Sequence, residues 1–327
     1  MFRNWMIALV AIPFWASAVV GAWALDMEAV NNANFQQRPS KSSKGADAVL
    51  IKAQVLLDRA GFSPGEIDGQ AGENNRKAIA AFEAAHGLKA DGKLNSDIWT
   101  KLTAGSTEPV LTEYAIDEKD VKGPFLKKVP AKMEDMKNLD WLGYTSPVEA
   151  LAEKFHMSEA LLKALNPGKS FERPAEIIVV ANVSNIPINR RVNRIEIDKS
   201  QRILTTFDQH NDLIAVLPAS IGSTEKPAPS GTYKVTAVAH DPTYRYDPAY
   251  AFKGVHANRP FTIKPGPNNP VGVVWISLSI KGYGIHGTPE PGKVSKTMSH
   301  GCIRLTNWDA KKLAAMVEKG TVVDLLG

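Results

Sequence analysis

Ser299-His300-Gly301-Cys302-Ile303-Arg304-Leu305 runs straight into Thr306-Asn307-Trp308-Asp309, so a cysteine-bearing loop ends where a helix begins. Thr306 and Asp309 have capping-box spacing, and Ala310, Leu313, Ala314 and Val317 follow on one helical face. Gly320 ends that helix ahead of a strand over Thr321 to Leu326. Upstream, apolar and polar residues alternate in Val192 to Asp198, Arg202 to Phe207, Leu213 to Ile221, Thr232 to Ala239 and Val273 to Leu278, with Gly and Pro turns between them. Residues 191–326 therefore read as a mainly-β domain, a sandwich or partial barrel, with one helix beside the cysteine.

Cys302 is the only cysteine among 327 residues, so it cannot be half of an internal disulfide. Glycine beside it lets the backbone approach a substrate closely, and a histidine can take the proton from sulfur. His286, in Ile285-His286-Gly287-Thr288, lies sixteen residues ahead of Cys302. The intervening loop contains Pro289, Pro291 and Gly292 and can fold back to bring the imidazole to the thiol. His286, His300 and Cys302 would also make three zinc ligands, but an acidic partner and a helical His-x-x-x-His spacing are lacking, so no metal or other cofactor is expected.

The first residues read as an export signal. Arg3 precedes an almost wholly apolar stretch from Trp5 to Val20, and Ala22-Trp23-Ala24 fits a cleavage rule with the cut before Leu25. The alternative is an uncleaved membrane anchor, the one membrane contact the sequence suggests. Cleavage removes Arg3 and lowers the formal net charge from +5 to +4, too small and dispersed an excess to argue for nucleic acid. A periplasmic location follows as the expectation.

With 44 % hydrophobic residues the chain has material for two or three cores. Residues 25–44, rich in Asn, Gln, Ser and Lys, read as a flexible tether. Residues 45–104 read as a three-helix domain: Asp47 caps the first helix, Gly61 ends it, Ile79 and Phe82 mark the second, and Ile98, Trp99 and Leu102 the third. Residues 105–140, with Pro109, Pro124 and Pro130, read as a linker. In 141–183, Ser146-Pro147 and Ser158 start two short helices and Ile177-Ile178-Val179-Val180 is a strand. The whole is a multidomain α+β protein.

Three resemblances follow from these motifs. Gly61, Ile67-Asp68-Gly69, Gly72, Arg76 to Phe82, Gly87-Leu88, Asp91-Gly92 and Trp99 to Leu102 resemble the three-helix peptidoglycan-binding domain of wall enzymes. Asn74-Asn75, where threonine is usual, and Glu83, where glutamine is usual, are departures that bear on glycan affinity. Residues 141–183 resemble a degenerate LysM unit, a sugar-binding α/β module, without its first strand and its Gly-Asp-Thr turn ahead of Ser146. Pro229 to Tyr233, Pro265 to Pro270, Gly284 to Thr288 and Ser299 to Leu305 resemble the L,D-transpeptidase, or YkuD, catalytic domain.

That last resemblance implies Cys302 as nucleophile and His286 as base, oriented by the carbonyl of Gly287. It also implies an oxyanion hole from the backbone around His300, Gly301 and Cys302, with Arg304 and Ser299 holding substrate. The implied substrate is a peptidoglycan stem peptide on its glycan: the thiolate attacks at the third stem residue, D-alanine leaves, and an amine resolves the thioester. The amine belongs to another stem or to an outer-membrane protein, while water would give a carboxypeptidase. The contrasting alternative is a non-catalytic wall-binding scaffold.

Overall fold

The computed structural model of the protein describes residues 25–37, 45–183, 190–222, 227–250, 255–298 and 301–327. The expected leader lies outside the described residues, as do Ser299 and His300 of the cysteine motif. Among the described residues no helix is long and apolar enough to cross a membrane.

The amino-terminal helices are α1 (Met27–Asn31), α2 (Ala48–Arg59), α3 (Glu73–Ala85) and α4 (Ser96–Ala104). Asp47 accepts from the N–H groups of Val49 and Leu50, satisfying donors that the first turn of α2 leaves open. Gly61, at φ +88°, ends α2 and meets the distant chain: a Cβ there would lie 2.7 Å from the Ile214 carbonyl oxygen.

Two expectations need correction here. Residues 25–37 are no tether: Asp26 caps α1, Val30 is wholly buried, and the Asn31 amide pairs with both backbone groups of Leu111 at 2.8 and 3.0 Å. A five-residue helix is too short to show a period, which is why composition alone misread it. The supposed linker also contains a strand, β1 (Leu111–Ala115), and two single-turn helices, α5 (Glu118–Val121) and α6 (Met133–Met136).

After α7 (Pro147–Lys154) and α8 (Glu159–Leu165), β2 (Ile177–Ala181) pairs antiparallel with β1, Leu111 opposite Ala181. The strand absent immediately before Ser146 is therefore supplied from far upstream, giving a β–α–α–β unit with residues 116–146 inserted. This unit and α2–α4 share one buried cluster that includes Leu57, Phe82, Leu151, Leu162 and Ile178. The two amino-terminal parts thus pack as one body.

The carboxy-terminal part contains β3 (Arg194–Asp198), β4 (Ile203–Phe207), β5 (Leu213–Pro218), β6 (Ser220–Ile221), β7 (Gly231–His240), β8 (Tyr244–Tyr246), β9 (Phe261–Ile263), β10 (Val274–Leu278), β11 (Gly284–His286), β12 (Ile303–Arg304), α9 (Asn307–Met316) and β13 (Val322–Leu326). Nine strands form one sheet in the order β5-β4-β3-β13-β7-β10-β11-β12-β6, and β8 and β9 pair separately. The run Leu213 to Ile221, expected as one strand, breaks at Ala219 into the two margins of this sheet. Because a single residue joins those margins, the sheet wraps back on itself as a barrel-like shell. Leu313 and Ala310 of α9 lie in one core with Ile276, Ile285 and Ile303.

The amino-terminal body docks on this shell. Phe62 bridges Val216, and the backbone of Gly61 and Ser63 exchanges 2.9 Å hydrogen bonds with Val216. Asn74 donates to the Val294 carbonyl at 3.1 Å and Lys77 to the Ser295 hydroxyl at 2.8 Å. Asn74, one of the departures noted above, is a docking residue. Glu83, another, accepts from the Gly92 N–H at 2.7 Å and fixes the turn before α4.

Candidate active site

The alternation of side chains along a strand decides what shares a face. β11 and β12 run parallel, with Ile285 beside Ile303 and His286 beside Arg304. Ile285 and Ile303 are both wholly buried against α9. His286 and Arg304 therefore project from the opposite face, as does Cys302, two residues before Arg304. All three line one cleft of about 930 Å³, together with Tyr244, Trp275, Lys281 and Tyr283.

His286 is 5 % exposed. Its Nδ1 lies 2.6 Å from the Gly287 carbonyl oxygen. A carbonyl only accepts, so Nδ1 carries the proton and Nε2 keeps its lone pair. The ring stacks on Trp275 of the neighbouring strand at 5.5 Å and 17°. Gly284 makes room for that indole, since a Cβ there would fall 2.6 Å from it. Behind the histidine, Asn307 is wholly buried and bonds Glu153 at 2.9 Å, the Pro267 carbonyl at 3.2 Å and the Val273 N–H at 3.3 Å. Its Oδ1 sits where a Cβ on Gly287 or Gly272 would come within 2.2 or 2.0 Å.

Burial, helped by the Arg304 charge and opposed by the Gly287 carbonyl, lowers the His286 pKa to about 3. Burial also pushes the Cys302 thiol up, against a backbone hydrogen bond at Gly284 and the Arg304 charge. The thiol sulfur lies 3.7 Å from the Gly282 carbonyl oxygen, a donor's contact. The resting pair is accordingly a neutral thiol and a neutral imidazole. Gly301, at φ +107°, turns the backbone into the cysteine.

Arg304 is held below its ordinary pKa by burial, with Glu290 opposing. No carboxylate lies within ion-pair distance of it among the described residues, and its Nε is buried without a partner. It is available to a ligand. It also faces a second cleft of about 660 Å³ that shares Met133 and Pro270 with the first. Glu66 in that second cleft is pushed up to about 7, chiefly by burial.

Of the residues picked from sequence, Cys302, His286 and Arg304 come together, and Gly287 and Gly301 shape their backbone. Tyr244, Trp275 and Tyr283 also line the cleft, while Tyr246 is 1 % exposed and stacks on Phe261 at 4.9 Å. Trp275 stands directly opposite His286 in the β10–β11 register, and that pairing is not written in the sequence. Asn307, read only as the first residue of a helix, was missed.

A thiol just ahead of β12 and an imidazole on β11 thus line one cleft of the shell, and the comparisons with known proteins give the family of this domain. Residues 192–325 match the YkuD family, the L,D-transpeptidase catalytic domain, and residues 48–102 match the family described as "Putative peptidoglycan binding domain". The chain carries an L,D-transpeptidase catalytic domain behind an amino-terminal peptidoglycan-binding domain. The Bacillus licheniformis protein named "Putative L,D-transpeptidase YkuD" is 28 % identical over 183 residues, 54 % of this chain and 92 % of that one. "Probable L,D-transpeptidase YbiS" of Escherichia coli K12 is 28 % identical over 188 residues, 56 % of this chain and 61 % of that one. An L,D-transpeptidase structure from Mycobacterium smegmatis superposes with a TM-score of 0.34 at 21 % identity, covering 41 % of this chain and 58 % of that one.

Proposed function

We propose that the protein is an exported peptidoglycan L,D-transpeptidase that works through a Cys302 thioester on tetrapeptide stems. The observation that supports this most is the parallel pairing of β11 with β12, which turns His286, Cys302 and Arg304 into one cleft while the Gly287 carbonyl holds the proton on Nδ1. Nε2 of His286 takes the Cys302 proton as sulfur attacks the carbonyl of the third stem residue. The backbone N–H groups at Gly301 and Cys302, with His300, receive the oxyanion, a contribution worth ~10²–10³ in rate per donor. The tetrahedral adduct collapses, the C–N bond breaks, and D-alanine leaves with the proton from Nε2. An incoming amine then attacks the thioester, gives its proton to Nε2, and releases the thiolate, which recovers that proton. Arg304 and Ser299 hold a substrate carboxylate or carbonyl meanwhile.

Because thiol and imidazole are both neutral at rest, the proton moves during attack. Water as acceptor would give a carboxypeptidase on the same site, and an amine on an outer-membrane protein would give a wall anchor. The leader directs the enzyme to the periplasm. The β1-α7-α8-β2 unit is proposed as a LysM-like spacer that presses the amino-terminal domain against the shell.

The experiment is mass spectrometry of products from a disaccharide-tetrapeptide incubated with the purified protein and with Cys302→Ala. Cys302-dependent D-alanine release with dimer formation supports transpeptidation. Release with tripeptide alone moves the reading to a carboxypeptidase, and no Cys302-dependent product defeats it.

A further inference from the structure

A separate cleft of about 1030 Å³ opens between the amino-terminal body and α9. Its walls come from the segment after β1, from the second half of α7 and from the exposed side of α9. Two features set it apart. The first is aromatic: Trp141, 40 % exposed, stands at it with Phe125, and Trp308 forms part of its lining. Trp308 is 6 % exposed, stacks on His156 at 5.2 Å and 10°, and has a buried indole N–H without an acceptor. A buried donor of that kind is uncommon in a finished fold.

The second feature is charge. Lys119, Lys154, Arg190, Arg191, Lys311 and Lys312 face the cleft, against the carboxylates of Asp120 and Glu153 alone. Asp120 is engaged by Lys154 at 2.8 Å and by the Tyr114 hydroxyl at 2.6 Å. Burial raises the Glu153 pKa, and Glu153 takes hydrogen bonds from Tyr144 and Asn307. Arg190 and Arg191 pair outward with Asp208 and Glu318. Lys119 and Lys311 have no ion-pair partner among the described residues, so the cleft keeps a positive surplus. Glu153 also borders the second cleft described above, which meets the Cys302 cleft at Arg304. Three adjoining depressions thus run from Trp141 to the thiol.

We infer that the Trp141 cleft seats a peptidoglycan strand next to the one being cut, with sugar rings on the aromatic faces and stem carboxylates on Lys119 and Lys311. This rests on the reading of the chain as a peptidoglycan enzyme. Aromatic faces with a few placed polar groups are the usual make-up of a carbohydrate-sized site. Carboxylates meeting lysines in a partly desolvated cleft add orientation.

The test is calorimetric titration of the full chain carrying Cys302→Ala, which binds without turnover. The probes are a disaccharide-tetrapeptide, glycan oligomers stripped of peptide, and a soluble polyphosphate as a non-wall polyanion. Trp141→Ala weakens both glycan probes about tenfold. Lys119→Glu with Lys311→Glu weakens the tetrapeptide probe about tenfold and leaves stripped glycan within twofold. Both lysines are exposed, so the charge reversal leaves the unfolding midpoint in place, and Trp141→Phe recovers most of the affinity. Unchanged affinity in both variants, absence of binding to wall fragments, or tighter binding of polyphosphate overturns the assignment. D-alanine release by the Cys302-intact chain is scored separately. Turnover with variant-insensitive binding removes only this cleft, whereas variant-sensitive binding without turnover removes only the reaction.

Discussion

Replacing His286 by glutamine tests the neutral resting pair directly. In the folded protein burial and Arg304 lower this imidazole's pKa from 6.5 to about 3, while in an unfolded chain it titrates near 6.5. Between those values the unfolded chain holds a proton that the folded chain refuses. A folded pKa depressed below the unfolded one makes stability fall as the solution becomes more acid, beginning near pH 6.5 and continuing towards pH 3. At pH 5 the gap is about 1.5 pH units, or about 2 kcal/mol at 1.36 kcal/mol per unit, whereas at pH 7.5 the contribution is close to nothing. Glu66 and Asp309, raised to about 7 and about 6, work in the opposite direction. They are common to both proteins and cancel in the difference. Urea unfolding of wild type and His286→Gln at pH 7.5 and 5.0 gives the double difference. Wild type should lose about 2 kcal/mol more than the variant on acidification. A double difference near zero means that the folded imidazole titrates near 6.5 like the unfolded one, and one of opposite sign means that the fold holds its proton, as a thiolate–imidazolium pair requires; either result refutes the depressed pKa.

Other substitutions report on the packing around the site. Gly287→Ala places a methyl group 2.2 Å from the Asn307 Oδ1 and should cost about 2–4 kcal/mol by displacing its three hydrogen bonds, read from the unfolding midpoint. Asp309 is raised to about 6 chiefly by burial, then by Asp58. Its stabilising share is full below pH 3.8 and is lost as pH rises through 6, so Asp309→Asn should gain up to about 3 kcal/mol over wild type at pH 8 and little at pH 4, by denaturation at both. Removing residues up to 44 strips Val30 and Asn31 from β1, costs about 2 kcal/mol, and speeds hydrogen exchange at Leu111 to Ala115.

Local signals in the sequence carried far. The helix caps at Asp47, Ser146, Ser158 and Thr306 and the main strand runs were legible because each depends on a few neighbouring residues. Cys302 and His286 were legible because thiol and imidazole chemistry is tied to residue type. What escaped depends on distant pairing. β1 buries only Leu111 fully, so only its partner Ile177–Ala181 reveals it as a strand. β11 and β12 have three and two residues, too few to alternate visibly. The Asn74 and Ser63 contacts, the latter donating to Asp309 at 2.9 Å, join residues far apart in the chain, and no local pattern encodes them.

The single residue between the sheet margins has a consequence in time. Ser220 pairs with Arg304, and Pro218, two residues before it, pairs with Ile203, so β12 finds its place only when the shell has closed around Ala219. A two-residue strand cannot persist without neighbours on both sides. A partly unfolded chain therefore carries Cys302 away from His286. The cleft exists only once the shell has closed, so His286 and the Gly282 carbonyl reach this sulfur only in the folded chain.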